Sequence, residues 1–219
     1  LLELLADESR ARDPAVAAAA LRHLGEAWAH AFPCPRGLLL RHLHGAIDET
    51  IDDIQDDPGP EQLATLAARH DRALAAIDLA ARQHLDADLR ALAHDPDIAG
   101  SLRRAAYLAA APRCERDALP DWLQLAAGDP PLFGPVLLPT LRILHRRGIF
   151  VHDTDLPAIL ELCAIDPTID PSELAARCYT ARHALLRHLR SAPAHDPRWP
   201  RWLPLLAALE SDEVPPLAA

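Results

Sequence analysis

Lysine, asparagine and methionine are absent from this chain, and glycine, aromatic residues and cysteine are scarce. Each shortage closes a possibility. Eight glycines in 219 residues leave little material for a nucleotide-cradling loop, which needs glycine for backbone amides to approach a phosphate. With 4% aromatic residues and an apolar set dominated by Leu and Ala, the composition favours helices over strands. The four cysteines, at 34, 114, 163 and 178, make no CxxC pair and keep no regular spacing to histidine. They read as small hydrophobes of a reducing, cytoplasmic compartment. No apolar run approaches the roughly 20 residues that span a bilayer. Neither a Ser-His-Asp order nor an HExxH helix occurs. A chain without methionine is expected to be a processed protein or an excised piece, and the all-arginine basic set suggests a GC-rich, bacterial coding sequence.

What is present points to one large all-α domain of about ten helices, expected over 1–210, with a proline-containing tail at 211–219. Twenty-one prolines punctuate it, repeatedly as Asp-Pro ahead of an apolar-periodic run: at Asp13, Asp57, Asp95, Asp129, Asp166, Asp170 and Asp196. There Asp can cap free amides and Pro can take the first helical position. Helices are predicted over 1–10, 14–31, from Leu38, after a turn at 32–37, to Gln55 or Asp56, over 61–92 as one helix or two meeting near His84, over 98–111, 120–127, 131–147, 156–164, 171–190 and 197–209. Ile149-Phe150-Val151 is the only strand-like fragment.

Short helices restarted by Asp-Pro at gaps of 44, 38, 34, 37 and 30 residues resemble HEAT and armadillo repeats. Asp13-Pro14-Ala15-Val16 with the alanines that follow, and Asp95-Pro96-Asp97-Ile98 with Arg103, Arg104 and Ala105, carry the likeness. The resemblance implies an α-solenoid of stacked helix pairs that binds protein. An irregular multi-helix bundle is the competing architecture.

Asp48, Glu49, Asp52, Asp53, Asp56 and Asp57 place six carboxylates in ten residues. On a wheel of about 100° per residue with Asp48 at zero, the acids lie between about 0° and 180°. Leu40, Leu43, Ile47, Ile51 and Ile54 lie between about −60° and −140°, and His42 falls among the acids. Opposed sets describe an amphipathic helix whose acidic side faces solvent. Asp52-Asp53-Ile54-Gln55-Asp56-Asp57 also resembles the aspartate-rich DDxxD motif of isoprenoid synthases. That likeness implies Mg²⁺ held by Asp52, Asp53 and Asp56 against a substrate diphosphate. No second aspartate-rich motif follows it, and no lysine exists to meet the diphosphate.

Two further clusters invite both readings. His152-Asp153-Thr154-Asp155 is a second acidic group whose plain role is to start a helix. Arg198-Trp199-Pro200-Arg201-Trp202 holds half of the four tryptophans, interleaved with arginine, the residue types most enriched at binding hot spots; the plainer reading is that Trp199 and Trp202, one turn apart, close the core. The expected function is protein binding without a cofactor, rather than catalysis. The acidic face Asp48, Asp52, Asp53 and Asp56 would meet a basic partner, with Trp199, Arg201 and Trp202 adding contact energy. A formal charge of −10 argues against nucleic acid, and the apolar pattern argues against a membrane partner.

Twelve histidines would carry the formal charge from −10 to +2 if all were protonated. Self-association or solubility should therefore change between neutral and mildly acidic buffer. A sedimentation profile identical in the two would contradict this.

Overall fold

The structure, a computed structural model, describes residues 13–31, 36–51 and 60–211. Among these, eleven α-helices and four short 3-10 turns account for the regular structure, and no strand occurs. The all-α expectation holds. The chain divides between Ala110 and Ala111 into two compact units, where a single domain was expected from length.

The first unit is built on α3 (Pro60–Arg82), against which α1 (Pro14–Ala31), α2 (Arg36–Ile51), α4 (Asp86–His94) and α5 (Gly100–Ala110) all pack. Alanine makes this possible. Ala17, Ala18 and Ala20 beside Leu21 on α1, and Ala73, Ala75, Ala76 and Ala80 around Ile77 and Leu79 on α3, are buried. Small side chains at the contact let helix axes approach at the near end of the usual range, about 8 Å. The long apolar pattern from 61 to 92 is indeed two helices meeting at His84, whose φ of 57° is left-handed. Leu85 N donates to Ala80 O and His84 N to Ala81 O, the paired bonds of a Schellman stop, with buried Leu85 supplying its apolar contact.

The second unit contains α6 (Leu119–Gly128), α7 (Pro130–Arg146), α8 (Leu156–Ile165), α9 (Pro171–Arg177), α10 (Arg182–Ser191) and α11 (Trp199–Glu210). Helix α7 ends in the same stop as α3, with Gly148 at φ 76° and Ile149 N donating to Leu144 O. Pro135 and Pro139 lie within α7 and do not end it. Each removes one internal hydrogen bond, and being four residues apart they share one side, which is exposed at Pro135 and half-buried at Pro139.

Ile149-Phe150-Val151, strand-like in composition but too short for a sheet, is an irregular link, with Ile149 N donating to Leu144 O and Val151 O accepting from the Thr180 hydroxyl. Two expectations need correction. The helix expected over 171–190 breaks at a 3-10 turn, Tyr179–Ala181. Asp-Pro opens a helix directly at Asp13, Asp129 and Asp170 but not at Asp95, Asp166 or Asp196. At those three sites, as at Asp13 and Asp170, the carboxylate accepts from the amide two residues on, across the proline: Asp97 N at 3.0 Å, Thr168 N at 2.7 Å and Arg198 N at 2.9 Å. The local turn is the constant, and a helix forms only where the next residues continue it. Asp57-Pro58 and the helix expected over 1–10 lie outside the described residues.

Asp166 also sets a tolerance. Its Oδ1 accepts from both the amide and the hydroxyl of Thr168, while the rest of the carboxyl lies against Gly134 on α7. A Cβ at 134 would overlap Asp166 Oδ2 and Cγ. Gly134→Ala should therefore destabilise the protein by about 1–3 kcal/mol, the usual cost of overpacking. Adding Asp166→Ala should recover part of that loss in a double-mutant cycle. Chemical denaturation midpoints measure both, and purely additive losses would refute the contact.

Candidate functional site

Helix α2 carries the described beginning of the acidic stretch. Leu43, Ala46 and Ile47 are buried, while Arg41, His44 and Asp48 are exposed. The apolar side of the wheel therefore packs inward and Asp48 points to solvent. Asp52, Asp53 and Asp56, the ligands implied by the isoprenoid-synthase likeness, lie outside the described residues. Among the described residues, no three His, Cys, Asp or Glu side chains converge as a metal group.

The C-terminal Arg/Trp cluster is largely a joint within the second unit. Trp202 is 4% exposed and its indole Nε1 donates to Leu160 O at 3.1 Å. Arg201 Nε donates to Cys163 O at 3.2 Å and its Nη2 to Asp166 O at 2.8 Å. These carbonyls lie at and just beyond the end of α8, where helical partners run out, so the guanidinium serves as a cap supplied by another helix. Trp199 is half-buried; its ring meets Trp202 edge-on at 5.9 Å between centroids, and its Nε1 donates to Pro193 O. Arg198 stacks on Trp202 at 4.4 Å and pairs with Asp196 and Glu161. Those bonds from Arg198 hold the Asp196 carboxyl down to about 2. The large apolar side chain that α11 exposes is Leu203, 56% exposed, beside Trp199 and the half-buried Leu206.

His152 to Asp155 borders a recess of about 450 Å³, lined by Val151, His152, Asp153, Thr154, Thr180 and Ala181. Asp155 does not open into it as a free acid. It is 1% exposed, accepts from His152 N at 2.8 Å, and is gripped by Arg116 through Nη2–Oδ2 at 2.8 Å and Nη1–Oδ1 at 3.3 Å. A bidentate guanidinium pair of this kind satisfies a buried carboxylate. Asp155 thus closes the turn Asp153–Asp155 that leads into α8, its carboxylate capping the His152 amide, the plainer of its two readings. Behind it Cys178 is fully buried, and burial first, then the neighbouring Cys163 and Asp155, push its thiol up to about 12. Burial likewise raises Cys163.

One surface escapes a reading of the sequence by motif. Helix α10, Arg-His-Ala-Leu-Leu-Arg-His-Leu-Arg-Ser, carries three arginines and two histidines and no acid. Leu185 and Leu189 are buried, whereas His183, Arg187, His188 and Arg190 are exposed. His183, Arg187 and Arg190, at spacings of four and three, share one side. A count of charge along α10 alone would have found it; whole-chain net charge hides it. No protein family, curated protein or solved structure matches this chain.

The buried thiols give a direct check of this packing. At pH 8.5, Cys163 and Cys178 should resist iodoacetamide in the native protein and react once it is denatured, because both access and thiolate are withheld. Peptide mass mapping reads the outcome, and rapid native labelling of either would contradict the described core.

Proposed function

We propose that this chain is a protein-binding helical module that acts through charged helix faces on alanine- and leucine-packed helical units. The observation that supports it best is the sidedness of α2. Leu43, Ala46 and Ile47 are committed to the core, while Asp48, which opens the acidic run, is exposed. A partner with a basic surface would be steered by that face, since clustered like charges accelerate encounter with an opposite patch. The proposal includes a HEAT-like stacking of the helix pairs and a cytoplasmic, bacterial setting. On α11 the contact residues it uses are Trp199 and Leu203, because Arg201 and Trp202 are engaged inside the unit.

Two measurements bear on this reading. Reversing Asp48, Asp52, Asp53 and Asp56 to Lys should weaken capture of a Lys/Leu amphipathic peptide by about tenfold or more and remove most of its salt dependence. Calorimetric titration with Mg²⁺ and pyrophosphate should show no saturable uptake. Saturable uptake lost in the same variant would overturn the module in favour of a diphosphate site.

A further inference from the structure

We infer that α10 presents a second docking surface, one that takes an acidic amphipathic polypeptide segment. This deepens the binding-module reading and rests on it, while using a different helix and a partner of opposite charge. The chain carries 32 acidic residues and 22 arginines, so ten consecutive residues with three arginines and no acid run against its average. Burial fixes their direction. Leu185 and Leu189, each at 0% exposure, hold the helix to its unit, and His183, Arg187 and Arg190 line the outward side.

The groups facing this side are few. Arg190 Nη2 pairs with Glu210 Oε1 on the neighbouring α11 at 2.7 Å, with both side chains largely exposed. Arg187 and His183 have no ion pair or hydrogen bond among the described residues. Asp153 lines the recess beside Thr180 and Ala181, just before α10. Apolar contact surface adjoins the charge: Tyr179, 51% exposed, precedes α10, and Leu203, 56% exposed, lies on α11, against which α10 packs. Aromatic and aliphatic side chains beside unpaired arginine are what an acidic segment with its own apolar anchors would use.

The same face suits other polyanions less well. A helix of ten residues spans about 15 Å and offers two arginines along one line, fewer phosphate contacts than duplex binding ordinarily needs, and the net charge of −10 repels a dense polyanion. An anionic bilayer is met by helices that insert an apolar face, and the apolar face of α10 is spent inside the unit.

The test uses the full chain and a fluorescein-labelled Glu/Leu amphipathic peptide, read by fluorescence anisotropy. Saturable binding is expected that weakens about tenfold in the double variant His183→Glu, Arg187→Glu, is largely kept in Arg187→Lys, and falls with added salt. Circular dichroism establishes that both variants remain folded. Unchanged affinity in the double variant overturns the assignment to α10. Absence of peptide binding overturns the inference, as does Arg187-dependent binding to duplex DNA or phosphatidylserine vesicles alone. Each of these leaves the acidic-face reading to stand on the Lys/Leu peptide, which does not depend on α10.

Discussion

Every helix end leaves backbone amides or carbonyls without an intrahelical partner, and a fold made from many short helices meets that cost at every junction. The junctions of this protein are organised around meeting it. Carboxylates satisfy the amides: Asp13 and Asp170 at helix starts, and Asp95, Asp166 and Asp196 in the turns between helices, each accept from the amide two residues on. Guanidinium groups close the carbonyl side, as Arg103 does for Ala93, Arg147 for Pro112 and Cys114, and Arg201 for Cys163 and Asp166. A planar fork with several fixed donors can bridge carbonyls on different segments, which an ammonium does less well. In a chain whose basic residues are all arginine, much of the positive charge is thereby structural.

That division explains which parts of the molecule were legible in sequence. Helical periodicity survived well: the ends of α1, α6 and α7, and the break at His84, fall within a residue or two of expectation. Apolar spacing and Gly or Pro stops act locally and are written in consecutive residues. Asp-Pro was legible as a turn but not as a helix start, because the turn is completed within three residues while the helix depends on the residues beyond it. Arg201 was read by residue type as a surface contact, and Trp202 either as a contact or as a closure of the core. Their partners are carbonyls about 35 to 42 residues away, and no local pattern announces a tertiary cap. The basic side of α10 was legible in principle, yet the acidity of the whole chain masks it.

The two charged faces are different in kind. On α2, Asp48 sits at the edge of an acidic run with the inward side packed on α3. On α10 the cations stand on a short helix whose Arg190 reaches α11 through an exposed ion pair, of the sort worth little in stability. Little of the fold depends on the outward groups of α10, so they are open to exchange without structural cost. The opposite holds for Arg116, whose grip on Asp155 is the means by which a carboxylate stays inside the unit.

The alanine seam between α1 and α3 has a consequence for how this chain tolerates change. At a site already filled by Ala, almost every substitution adds volume, so damage there comes from crowding and helix displacement rather than from cavities. The second unit, filled by Trp122, Phe133, Trp202 and leucines, errs in the other direction, toward loss of volume. One polypeptide thus carries two opposite mutational spectra, and a random library screened for stability should be depleted of larger residues along α3 and of smaller ones along α7.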